Sequence, residues 1–255
     1  MRRVRALVIA VLSAFLAASA VYFLVVRPKI KGWGVDPAEA ELDMPGDELI
    51  PEASHTETRG ITIDAPVASV WPWLVQMGYE RAGWYSYDAM DNRGRSSDVI
   101  RPELQALAEG DIMPTHPGGG FVVRMVQPER ALVLYIDTDL VRSQAEQAQA
   151  EGRSELPTPG LKASGAMMGA SYPEFAASWA FLLQPLDGDR TRLIERFRAQ
   201  TPGSGPASAV MGEIMGTGIV LMTRKQMLGI KERVEGAGQV PEQAGQTPEM
   251  EVTPA

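Results

Sequence analysis

Between Ala6 and Val26 (ALVIAVLSAFLAASAVYFLVV) no side chain carries a charge. A helix of roughly 21 apolar residues is long enough to span a ~30 Å hydrocarbon core, so this stretch predicts a membrane anchor. Arg2, Arg3 and Arg5 precede it and Ala18-Ser19-Ala20 resembles a signal-peptidase site, so a cleaved signal peptide is the rival reading. The apolar run continues six residues past Ala20, longer than a typical signal core, and this favours an uncleaved anchor over residues 1–31. Arg27, Lys29 and Lys31 behind the run balance the three Arg in front of it. Orientation in the cell membrane therefore rests on the likeness to an export signal, which leans toward an extracytoplasmic domain.

Composition bounds the rest of the chain. A chain of 255 residues, 45% hydrophobic and 22% charged, holds one ordinary globular domain with extensions. A net charge of −8 argues against a basic face for nucleic acid. With no Cys there is no disulfide, thiolate nucleophile or Cys-ligated zinc, and His55 and His116 lack metal-ligand spacing. Neither a G-x-G-x-x-G nor a P-loop pattern occurs, so no metal and no cofactor is expected.

Residues 32–54 run through Pro, Gly and acids without a sustained period and read as a linker or strap, parts of it lying on the domain surface. Residues 237–255 have too little apolar surface to offset the entropy of ordering and read as a disordered tail. Between them, Thr56 to Ile63 reads as a strand. Asp64-Ala65-Pro66 then reads as a cap and first turn, and Val67, Val70, Trp71 and Leu74 form a helical stripe. Pro72 should kink or split that helix, with Gly78 as its stop.

Pro102 to Ala108 reads as a helical turn or two. Short apolar runs at 111–114, 120–127, 131–137, 178–184 and 191–199 read as strands, the last two joined by a hairpin at Asp187-Gly188. Alternation in the final strand places Leu193, Glu195 and Phe197 on one side, with Arg192, Ile194, Arg196 and Arg198 on a side expected to face water. Residues 139–175 show no core face and read as an insertion. Ala207 to Glu235 has the spacing of a long amphipathic helix. A membrane helix is the competing reading there, from Gly212 and Gly216, but Glu213 interrupts the run.

The segments APVASVWPWLVQMGYERAGWYSYDAMDN, LAEGDIMP and MTRKQMLGIKERVE resemble bacterial members of the SRPBCC superfamily, which includes START-like lipid-transfer domains and polyketide cyclase/dehydrase proteins. The resemblance covers residues 55–236 apart from the insertion. It implies an α+β helix-grip fold: a curved antiparallel β-sheet wrapped around a long C-terminal helix, with a hydrophobic cavity between them. It does not imply a reaction, because the fold hosts carriers and enzymes alike.

On that fold Trp73, Met77, Trp84, Tyr85 and Tyr87 are expected to line or gate the cavity, with plain core packing as the alternative. Met211, Met215 and Met222 would form a soft wall, and Gly218 a gap in it, unless the helix glycines simply allow close approach. Glu195 in an apolar cavity would have a raised pKa suited to proton transfer; an ion pair with a neighbouring Arg, or a register that puts Glu195 outside, is the favoured structural alternative. His116, in THPGGG, faintly resembles an oxyanion loop, but no G-x-S-x-G accompanies it. The expected activity is membrane-anchored binding of a hydrophobic small molecule or lipid, and not catalysis. The alternatives are a cyclase/dehydrase-like enzyme using Glu195 or His116, and a protein-interaction module with a vestigial cavity.

Overall fold

A computed structural model gives the architecture; it describes residues 32–152, 174–200 and 206–237, together with residues 13, 17 and 20–27 of the apolar run, while the side chains of 23, 26, 206–215 and 217 lie outside the described residues. Six strands, β1 (His55–Ile63), β2 (Ile112–His116), β3 (Gly119–Gln127), β4 (Ala131–Asp137), β5 (Ala176–Leu186) and β6 (Arg190–Gln200), pair antiparallel in the order β1-β6-β5-β4-β3-β2. Five α-helices accompany them among the described residues from 32 onward: α1 (Pro37–Glu41), α2 (Val67–Val75), α3 (Asp88–Asp91), α4 (Thr138–Ala150) and the long final α5 (Pro206–Ala237). The chain is thus α+β, a six-stranded antiparallel sheet with a C-terminal helix.

Because strand side chains alternate between faces, the sheet builds two cores. On one face, Ile63, Leu193, Phe181 and Leu134 pack with Val70, Trp73 and Leu74 of α2 and with Met227, Ile230 and Val234 of α5. On the other, Ile194, Ala180, Leu182, Ala131 and Val133 pack against Met44. This second face corrects the expectation that the arginine side of β6 meets water. Residues 32–51 cross it as a strap, and the arginines bind the strap.

Arg192 grips Glu39 through Nε and Nη2, both at 2.7 Å. Arg196 donates to Asp47 Oδ2 at 2.7 Å, to the Ala40 carbonyl at 2.9 Å and to Thr58 Oγ1 at 2.9 Å. Arg198 donates to the Ile50 carbonyl at 2.9 Å. A guanidinium satisfies several acceptors at once, so three arginines suffice to pair strap carbonyls that have no strand partner. The strap also covers the exposed edge of β1, where Gly60 N–H donates to the Trp33 carbonyl at 3.1 Å.

Other local expectations are also revised. α2 begins after Pro66 with no side-chain cap, and the Asp64 N–H instead donates to Glu235 of α5 at 2.8 Å. Pro72 sits inside α2 without splitting it: in so short a helix it removes one hydrogen bond, while burial of Val70, Trp73 and Leu74 holds the rest. Helical structure at 102–108 is reduced to a 3-10 turn, Pro102–Leu104. The start of the expected insertion forms α4, capped by Asp137 on the Leu140 N–H at 2.8 Å, with Gln144 and Ala148 buried. Residues 153–173 of that insertion and the tail 238–255 lie outside the described residues.

The described residues between 13 and 27 are helical and include a π-helical turn, Tyr22–Val26. No helix among the described residues is long and apolar enough to cross a membrane.

Candidate binding site

The cross-strand register between β1 and β6 sets Arg59 directly opposite Glu195, beneath α5. Both side chains are fully buried, as is that of Glu57. Arg59 Nη1 donates to Glu195 Oε1 at 3.3 Å and its Nη2 donates to Glu57 Oε2. His55 Nε2 lies 2.7 Å from Glu57 Oε1, which extends the row along β1. Trp179 on β5 completes it, donating from Nε1 to Glu195 Oε1 at 2.8 Å. Glu195 Oε2 and Arg59 Nε have no hydrogen-bond partner among the described residues.

Arg59 thus binds both carboxylates in a buried interior, and His55 also holds Glu57. Burial pushes Glu195 above the ordinary carboxylate range, opposed by the charge of Arg59 and the hydrogen bonds from Trp179 and Arg59. Burial likewise pulls Arg59 below its ordinary value, opposed by Glu195.

An aromatic surface adjoins this row. Trp179 stacks on Trp84 with centroids 5.3 Å apart and planes 14° from parallel, and meets Phe121 at 5.6 Å and Phe181 at 5.2 Å. The structure thus brings together Trp84 and Glu195, two residues that the sequence singles out separately. Arg59, Glu57, Trp179, Phe121 and Phe181 join the site without a motif to mark them. Alternation along TETRGITI and SWAFLLQ does place Glu57 with Arg59, and Trp179 with Phe181, on common faces.

The remaining aromatic residues divide between core and surface. Trp73 and Tyr85 are 2% exposed and meet edge to face at 5.8 Å. Tyr85 OH accepts from Gln76 Nε2 at 2.8 Å and donates to the Trp73 carbonyl at 3.2 Å, while burial pushes the phenol well above its ordinary pKa. Met77 is fully enclosed, its Sδ 3.4 Å from Gln226 Nε2. These three residues pack as core. Tyr87, at 45% exposure, lies on the outer surface.

On α5, Met222 is half-buried and its carbonyl accepts from Ser86 Oγ at 3.0 Å. Gly218 is exposed with open space around it, which corrects its expected place as a gap in an inward wall. Among the described side chains the inward face is formed by Val220, Thr223, Gln226, Met227 and Ile230, with Gly216 also buried beside Glu57 and His55. The tight glycine of this helix is Gly229, where an added Cβ would overlap the Tyr85 carbonyl. The side chains of Met211 and Met215 lie outside the described residues.

His116 belongs to a different region. It lines a surface pocket of about 210 Å³ with Ile112, Pro114 and Gln144, and its Nδ1 accepts from the Gly118 N–H at 2.9 Å. Burial lowers its pKa. Four strand spacings separate β2 from β6, roughly 19 Å, so His116 and Glu195 cannot act on one reacting atom. Among the described residues no group of three or more His, Asp or Glu is arranged to hold a metal ion.

No family model matches the chain, and no curated protein matches it. Among solved structures it is similar to a structural-genomics protein from Nitrosomonas europaea (13% identity, 72% of this chain and 96% of that one, TM-score 0.34). It is also similar to a conserved protein from Geobacillus kaustophilus (14% identity, 72% and 97%, TM-score 0.34). A hypothetical protein from Helicobacter pylori matches at 12% identity over 74% and 93%, with TM-score 0.40. Likenesses at this level carry no argument about function.

Proposed function

We propose that this chain is a membrane-anchored START-like domain of the helix-grip type, within the SRPBCC superfamily, that binds a hydrophobic small molecule or lipid between its sheet and final helix without turning it over. The observation that carries this reading is the pair of unsatisfied polar atoms, Glu195 Oε2 and Arg59 Nε, in an interior that is otherwise apolar and aromatic. Buried polar groups are nearly always paired, so an interior that leaves these two unpaired among the described residues, with Gln226 Oε1 of α5 a further one on the inward face, is suited to the polar end of a ligand. The stacked Trp84 and Trp179 offer a flat apolar wall to the remainder of such a molecule. Anchoring by residues 6–26 is supported by Val21, Leu24 and Val25, helical apolar side chains that are 56%, 77% and 47% exposed.

A second reading, a cyclase/dehydrase-like enzyme, is favoured by the raised pKa of Glu195, which would act as the proton donor, with His116 too distant to share the step. A third, an interaction module, draws on the dense packing of Trp73, Met77 and Tyr85.

Native mass spectrometry with organic extraction, on residues 32–255 produced without the apolar run, separates these. The binding reading expects a discrete apolar ligand whose retention survives His116→Ala and weakens in Glu195→Gln, which alters one of the two unpaired atoms. Turnover that is lost in Glu195→Gln while binding persists would identify an enzyme. A clean apo mass with no uptake from a lipid panel would overturn both and favour the interaction module.

A further inference from the structure

A short tether and an exposed apolar face adjoin one another on this molecule. The apolar run ends at Val26, and Trp33 is already fixed to the domain: its carbonyl accepts from Gly60 of β1, and Arg224 of α5 lies over its ring at 5.0 Å. The intervening residues reach at most about 25 Å when fully extended, because each residue spans roughly 3.5 Å. Any membrane that holds the run therefore lies within one small-domain diameter of α5.

The face that α5 turns away from the sheet is apolar where it passes the tether. Leu221 is 55% exposed, one helical turn from Arg224 and so on the same side of the helix. Ser86 Oγ donates to the Met222 carbonyl at 3.0 Å, which draws the loop before α3 against α5 at the residue next to Leu221, and Tyr87 and Met90 follow Ser86 in that loop and in α3. Tyr87 and Met90 are 45% and 48% exposed. Arg224 is exposed and Lys225 half-exposed at the border of this patch, while Arg27, Lys29 and Lys31 follow the apolar run in the tether. The chain as a whole carries −8, so this basic, apolar flank is the surface suited to a headgroup layer.

We infer that the outer face of α5, through Leu221 with Tyr87 and Met90, rests in the headgroup region of the bilayer that holds residues 6–26. This rests on the reading of that run as a membrane span. Docking of this kind would press the helix that covers Glu195 and the Trp84–Trp179 stack against the membrane, the source of any lipid ligand.

The chain has no Cys, so single-cysteine variants can carry an environment-sensitive fluorophore in the full-length protein, reconstituted in phosphatidylcholine–phosphatidylglycerol vesicles. Leu221→Cys and Met90→Cys test the face, Asp43→Cys on the strap side of the sheet is the control, and Ser13→Cys tests the span. Side chains on a docked face sit roughly 5–10 Å into the headgroup boundary, so the first two probes should lose about half their fluorescence to a shallow nitroxide lipid. The Asp43→Cys probe should be unaffected, and the Ser13→Cys probe should respond best to a deep nitroxide. Quenching at Ser13→Cys, with Leu221→Cys and Met90→Cys behaving like Asp43→Cys, would overturn the docking face and leave the span standing. An unquenched Ser13→Cys probe would overturn the span, and the docking inference with it.

Discussion

Removing the guanidinium of Arg59 would take from Glu195 its only cationic partner among the described residues, in a fully buried interior, and from Glu57 one of its partners. Breaking a buried pair in this way costs about 3–5 kcal/mol, so Arg59→Met should lower the denaturant midpoint sharply. Glu195→Gln should keep the fold, because its amide oxygen can still accept from Trp179 and no charge is orphaned. The two variants also differ in pH response. The folded-state pKa of Glu195 lies above its ordinary 4.5, so its stabilising contribution is fully present below that ordinary value and is lost as pH rises through the raised one. Glu195→Gln should remove that component from a stability–pH profile, and an unchanged profile would show that Glu195 does not titrate. The inward direction of Glu195 was legible from its alternation with Leu193 and Phe197. Its partner was not, because Arg59 lies 136 residues away and only the β1–β6 register sets them opposite.

The strap was one of the two readings of residues 32–54, and what differs from expectation is the arginine side of β6 that it covers. Residues 32–54 have no period to mark them as structured, and three arginines alternating on one strand face read as a solvated side. Each half looked solvent-facing because its partner was out of view: the arginines satisfy strap carbonyls, and Met44 closes the apolar patch around Ile194. Arg196, with side-chain exposure of 4%, is the central clamp. Arg196→Ala should cost about 2–4 kcal/mol, since it unpairs a carboxylate and several carbonyls together. Hydrogen exchange should then accelerate over residues 39–50 while β3 and β4 remain protected; uniform acceleration would mean that strap and sheet unfold as one unit. The α2 case differs in kind. Pro72 is a true helix breaker by local rules, yet burial of three neighbouring side chains overrides it.

At the scale of the whole molecule the strap makes residues 32–51, ahead of the first strand, part of the folded unit. A chain beginning at Gly32 should remain monomeric by size-exclusion chromatography. One beginning at Glu52 should aggregate, because it exposes the patch around Ile194 and Val133 and bares the edge of β1. Equal behaviour of the two would show the strap to be dispensable. The order of the strands, the alternation of β6, the length of α5 and the apolar run at the amino terminus were determined by the sequence alone. Each is a local pattern, set by the period of a helix or strand and by the apolar character of neighbouring residues. The tertiary structure decided which faces met: that β1 set Arg59 against Glu195, that Trp179 joined Glu195 to Trp84, that Tyr85 filled the core while Tyr87 stayed outside, and that Gly229 rather than Gly218 was the point of close approach. Those outcomes depend on the register and contact of segments far apart in the chain, and periodicity within a segment carries no information about its partner.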